Sequence, residues 1–180
     1  MGKILECVQQ FFEIDDWPYR LIEHKIDQGA PKSSVENSES SFFWPYNLVE
    51  GGDILQTWFN GDHGQFNCYA QEREEQQQLL FYSIFPVRIS TGKMDLAAEF
   101  ITRANYALLS GNFEMDYRSG RVRFKTSIDV YGETLTPGMV KKVVYANVYS
   151  MDRYLPGLMR VIYGELPAHE AIAEVENLPA

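Results

Sequence analysis

Asp62 and His63 stand side by side in "NGDHG". By type they suit acid–base work, a carboxylate orienting an imidazole, or they could serve as two ligands of a metal. Their surroundings support neither. A metal site draws on three or four ligands, and no HxH or HxxxH spacing accompanies the pair. A hairpin tip, by contrast, uses Gly, Asn and Asp for its backbone angles, so a turn is the better reading. Glu72, Glu74 and Glu75 in "EREEQQQ" lack the fixed glycine and the alternating oxygen ligands of a calcium loop, and read as a solvated turn. His24 and His169 are isolated. Cys7 and Cys68, the two cysteines, have no CxxC spacing and no cationic neighbour to favour a thiolate, so both read as buried small hydrophobes.

The densest set of charges lies in "GNFEMDYRSGRVRFKTSI", residues 111–128, where Glu114 and Asp116 face Arg118, Arg121, Arg123 and Lys125 across a turn. Alternation decides its meaning. Phe113, Met115 and Tyr117 alternate with Asn112, Glu114 and Asp116, and Val122, Phe124 and Ile128 alternate with Arg121, Arg123 and Lys125. Period two on both arms is a hairpin with one buried face and one wet face, and the charges are its wet face. No GxSxG, Walker A, GxGxxG or HExxH occurs. The sequence therefore nominates no catalytic residue, cofactor or metal.

The elements that must hold these residues follow from periodicity. Residues 3–14 carry Ile4, Leu5, Val8, Phe11 and Phe12 on one helical stripe, ended by "DDWP". "YRLIEHKI" (19–26) is a short strand candidate, and residues 27–50 form a long polar loop. Residues 53–60 and 64–72 make a hairpin around "GDHG"; residues 79–89, apolar on both faces, make a central strand. Residues 94–109 are the clearest helix, with Ser90 or Thr91 as cap and Gly111 just past its end. Near that end Asn105 is expected to hydrogen-bond backbone around Gly111 and Asn112, tying helix to hairpin. After the hairpin, Thr136-Pro137 starts a helix whose seam runs through Pro156-Gly157, as one kinked helix or two. Residues 165–180 read as an acidic tail, a short frayed helix or loose chain. Helix, three strands, helix, two strands, helix is α+β: an antiparallel sheet of about five strands with helices on one face, in one domain over residues 1–164.

Composition sets the limits. The 180-residue chain carries a formal charge of −9, and its pI of about 4.8 opposes binding to phosphate backbones, so nucleic acid is not an expected partner. "MGKILECVQQFFEIDD" lacks the apolar core of a signal peptide and no run reaches membrane-spanning length, so a cytoplasmic protein without membrane contact is expected. Aromatics stand out instead. Phe42, Phe43, Trp44 and Tyr46 crowd "SFFWPY", and Trp58, Tyr149 and Tyr154 add to them. Either they form an interaction surface or they plug one end of the core.

"FPVRIS…LAAEFITRANYALLSGNFEMDYRSGRVRFKTSIDVYGETLT…DRYLPGLMRVIYG" resembles the YbjN-like family over residues 79–164. The most specific run is "RANYALLSGNFEMDYRSGRVRFKTSIDV", whose marks here are Asn105, Gly111, Phe113 and Gly120. The resemblance implies a fold similar to type III secretion chaperones and a homodimeric, non-enzymatic domain labelled as a bacterial sensory transduction regulator. The expected function is thus a regulatory or chaperone-like domain that binds a protein or peptide through apolar surface. A small-molecule or lipid sensor with an apolar pocket is the alternative, and a hydrolase assembled only by the fold stands behind both.

Overall fold

The computed structural model of the chain describes residues 2–22, 53–164 and 166–177. Helix α1 (Lys3–Ile14) leads into strand β1 (Tyr19–Ile22), then β2 (Ile54–Asn60), β3 (Gln65–Arg73) and β4 (Gln78–Ile84). Helix α2 (Met94–Ala107), the hairpin β5 (Asn112–Asp116) and β6 (Arg121–Asp129), and helices α3 (Pro137–Tyr163) and α4 (Ala168–Asn177) complete the order. The loop 27–50 lies outside the described residues.

All pairings are antiparallel, in the order β1-β2-β3-β4-β6-β5. The architecture is α+β as expected, with the short strand candidate at 19–22 pairing at one edge to make six strands. Alternation places Leu55, Cys68, Ala70, Phe81, Phe124 and Phe113 on the helix side, where they meet Leu5, Phe12, Phe100, Val144, Met151 and Leu158 in one core. The opposite face of the central strands is buried as well, at Ile54, Tyr69, Gln71, Leu80 and Tyr82. Among the described residues, no helix is long and apolar enough to cross a membrane.

Polar side chains anchor α1 and α3 to the central strands of the sheet. Glu72 of β3 accepts from the backbone N–H groups of Gly2 (2.7 Å) and Leu5 (3.2 Å), and so caps α1, whose own N-cap offers no side chain. The solvated-turn reading of Glu72 is corrected here: the alternation that buries Phe66, Cys68 and Ala70 carries residue 72 to the same face, under a helix end that needs an acceptor. Glu72→Ala is expected to cost roughly 1–3 kcal/mol by leaving those donors buried. Chemical denaturation checks it, and an unchanged midpoint contradicts it.

Asn147 of α3, fully buried, donates through Nδ2 to the carbonyls of Phe81 (3.0 Å) and Phe124 (3.2 Å) and to Thr126 Oγ1 (3.1 Å). Thr126 in turn donates to the carbonyl of Val143. The sequence places Asn147 on an apolar seam without marking it as a polar joint.

Helix α2 begins after a 3-10 turn at Thr91–Lys93, and neither Ser90 nor Thr91 caps it by side chain, contrary to expectation. Helix α3 starts as expected, with Thr136 Oγ1 accepting from Met139 N–H and Pro137 at its first position. It is a single helix that runs through Pro156. Residues 165–180, read as an acidic tail, include helix α4, which buries Ala168, Ala171, Ile172 and Val175.

Candidate functional site

His63 is paired, but with Asp152 of α3 rather than with Asp62. Its Nδ1 lies 3.1 Å from Asp152 Oδ2, and the same carboxylate accepts the backbone N–H groups of Asp62 (3.1 Å) and His63 (3.0 Å). Three interactions from one turn converge on one carboxylate, which fastens the β2–β3 turn to the helix. An imidazole oriented by a carboxylate is a plausible base only if a nucleophile or substrate proton lies within reach. The adjoining groove, about 470 Å³, is lined among the described residues by His63, Pro156, Gly157, Arg160, Glu174 and the end of α4, which include no Ser, Thr or Cys and no Phe, Tyr or Trp. The pair reads as a structural latch. Among the described residues, no group of three His, Cys, Asp or Glu side chains could hold a metal.

Both thiols are buried and raised. Burial pushes Cys68 up to about 12 against the opposing hydrogen bond of Ser83, and burial also lifts Cys7, which lies 3.4 Å from the carbonyl of Leu135.

The charged hairpin carries a compact ion cluster. Glu114 of β5 sits between Arg123 (2.7 Å) and Lys125 of β6, and the Arg123 guanidinium covers the Tyr82 ring at 4.5 Å. These groups are half-buried, so the face is drier than alternation alone suggests. Burial opposes ionisation of Glu114, but the Lys125 hydrogen bond and the charge and hydrogen bond of Arg123 outweigh it and hold the carboxyl below its usual range. A depressed folded pKa contributes stability above the unfolded pKa and loses it as pH falls through the folded one. Acidification through the carboxylate range should therefore lower the thermal midpoint more steeply in wild type than in Glu114→Gln. Parallel curves contradict this.

The aromatic residues nominated from sequence separate into three groups. Phe42, Phe43, Trp44 and Tyr46 lie outside the described residues, as does His24. Trp58 (40% exposed) and Tyr149 (58%) are on the surface, but alternation puts Trp58 on the face away from the helices. Its neighbour Phe59 meets Tyr149 at 6.0 Å on the helix side. Tyr154 is corrected: at 3% exposure it is core, edge-on to Phe100 and Phe113, with its hydroxyl 3.4 Å from Glu176. Helical spacing carried that signal, since Tyr154 lies three residues from Met151 and four from Leu158 on the buried stripe.

Asn105, Gly111, Phe113 and Gly120 form the joint between α2 and the hairpin. Asn105 accepts the N–H of Phe113 (2.7 Å) and donates to its carbonyl (3.0 Å), one residue beyond the expected partners. A side-chain amide thus serves both backbone groups of Phe113 in the terminal strand of the sheet, which blunts part of that edge. Gly111 and Gly120 have φ of 79° and 67°, and a side chain at 120 would meet the carbonyl of Ile89.

Sequence reasoning missed the most exposed large apolar side chains among the described residues. Tyr106 (96%) and Leu109 (103%), at the C-terminal end of α2 and the turn into β5, are fully in solvent; Leu96 of α2 and Tyr117, in the turn between β5 and β6, are also exposed. The helix period was the available signal. Tyr106 falls off the stripe Ala97, Phe100, Ile101, Ala104 that packs inward.

The fold is a two-layer α+β scaffold whose best acid–base pair fastens a turn, and Tyr106 and Leu109 stand in solvent at the junction of α2 and β5. The chain belongs to the YbjN family: the family model matches residues 31–159 and is described as "Putative bacterial sensory transduction regulator". That match reaches further toward the N-terminus than the run 79–164 and ends within α3, short of α4. No curated protein and no solved structure matches the chain.

Proposed function

We propose that this protein is a non-catalytic regulatory domain that works as a homodimer through the α2–β5 flank and binds a protein or peptide through exposed apolar surface. The observation that carries the reading is the full exposure of Tyr106 and Leu109 beside a terminal strand. Side chains of this size are uncommon in solvent at neighbouring positions unless another surface covers them. Because Asn105 already serves the edge at Phe113, the dimer forms by side-chain packing of α2 and the β5 junction rather than by a continuous strand ladder. Trp58 and Tyr149 lie elsewhere on the surface and are left for a second partner. The chain's acidic balance favours a partner that is not itself strongly acidic.

Hydrogen exchange across a dilution series from micromolar to nanomolar tests the reading. Residues 105–117 are expected to lose protection on dilution while the amides of β3 and β4 keep theirs. A chain that is monomeric by mass, with an unchanged exchange profile throughout, contradicts it.

A further inference from the structure

We infer that the groove between α2 and α3 is a docking site for an acidic amphipathic helix, and that α4 occupies it as an exchangeable segment of the same chain. This goes beyond the dimer reading and uses a different surface. Helix α4 presents Ala168, Ala171, Ile172 and Val175, at spacings of three, four and seven, to α2 and α3. That is the anchor pattern by which an amphipathic helix enters a groove. The floor is shaped for close approach: a Cβ at Gly157 would lie 2.6 Å from Val175 and 2.9 Å from Phe100.

The polar contacts make α4 conditional on docking. Its last turn holds no basic residue, while Glu174 and Glu176 stand near its negative end, a distribution that disfavours the isolated helix. Helix α3 supplies what is missing. Arg153 donates to the carbonyls of Val175 (3.4 Å) and Glu176 (3.2 Å), Arg160 pairs with Glu174, and the Tyr154 hydroxyl meets Glu176. The Arg160–Glu174 pair is about half exposed, so an incoming carboxylate can reach it. Only Ile172 and Val175 among the buried residues of α4 are larger than alanine, which leaves little apolar area to hold it. A cavity of about 470 Å³ lies between the last turns of α4, residues 156–160 of α3 and His63. A segment that folds only against its receptor is one that a partner can replace. The fitting partner carries small apolar residues at the same spacing and carboxylates opposite Arg153 and Arg160.

A fluorescent peptide of residues 166–177 (LPAHEAIAEVEN), titrated by anisotropy, tests this. Against the wild-type chain it competes with the tethered α4 and binds weakly. Against the full chain carrying Ala171→Glu and Ile172→Asp, which frees the groove, it should bind about tenfold tighter or more. Adding Arg160→Glu to that variant should remove most of the gain. The inference is overturned if the folded double variant binds no better than wild type, if a scrambled peptide binds equally, or if Arg160→Glu changes nothing. Should the double variant fail to fold, hydrogen exchange of wild type decides: amides of 168–177 exchanging well ahead of 144–158 support the inference, and exchange in step overturns it. Dimer mass is a separate readout, so the two readings stand or fall apart.

Discussion

Asn147→Ala is expected to lower the thermal midpoint by several degrees, the largest stability effect of any single polar truncation in this fold. One buried amide serves two strand carbonyls and a threonine hydroxyl at the contact of α3 with β4 and β6. Removing it leaves buried acceptors without a donor and opens a small cavity, together roughly 2–3 kcal/mol. For a chain of this length that corresponds to a drop of roughly 5–10 °C. Asn147→Asp sharpens the test. An ionised carboxylate facing three oxygens is repelled, whereas a protonated one can donate, so this variant should gain stability as pH falls while wild type loses it. An Asn147→Ala midpoint within about a degree of wild type would remove Asn147 as the joint between the layers.

Replacing Tyr106 and Leu109 together with glutamate should break the dimer. Interface anchors of this kind contribute about 2 kcal/mol or more each, so losing the pair should raise the dissociation constant roughly 1,000-fold. Both side chains are fully in solvent within the single chain, so folding should be preserved and far-UV circular dichroism unchanged. Tyr131→Glu with Tyr163→Glu, which adds the same two charges at exposed positions elsewhere on the surface, is the control and should leave association intact. Equal loss of association in the control would assign the effect to net charge rather than to the flank.

Much of this scaffold was legible because period and polarity agree. The 111–128 hairpin alternates cleanly, and its register pairs Glu114 with Arg123 and Asp116 with Arg121 as the charges suggest. The Asn105 tie was legible because an amide near a helix end has few other partners. Three features were obscured by competing local signals. Pro156-Gly157 reads as a break, but α3 continues because Gly157 lets α4 and Phe100 approach, and packing outweighs the lost backbone donor. Helix α4 hides in an acidic stretch because its cationic partners, Arg153 and Arg160, lie on another helix. His63 looks paired with its neighbour Asp62, yet its carboxylate lies 89 residues away on α3. The exposed flank at Tyr106 and Leu109 was the least legible part. Exposure of Tyr106 and Leu109 depends on where α2 sits on the sheet, and aromatic density drew attention to other residues. The expectation of a dimer came from the family resemblance rather than from any residue pattern.

Multi-angle light scattering of the wild-type chain at micromolar concentration tests the central claim most directly. A mass of twice the 20.7 kDa chain is predicted, falling to a single chain in the Tyr106→Glu/Leu109→Glu variant. A wild-type mass of one chain, or a dimer that the double variant leaves intact, contradicts it.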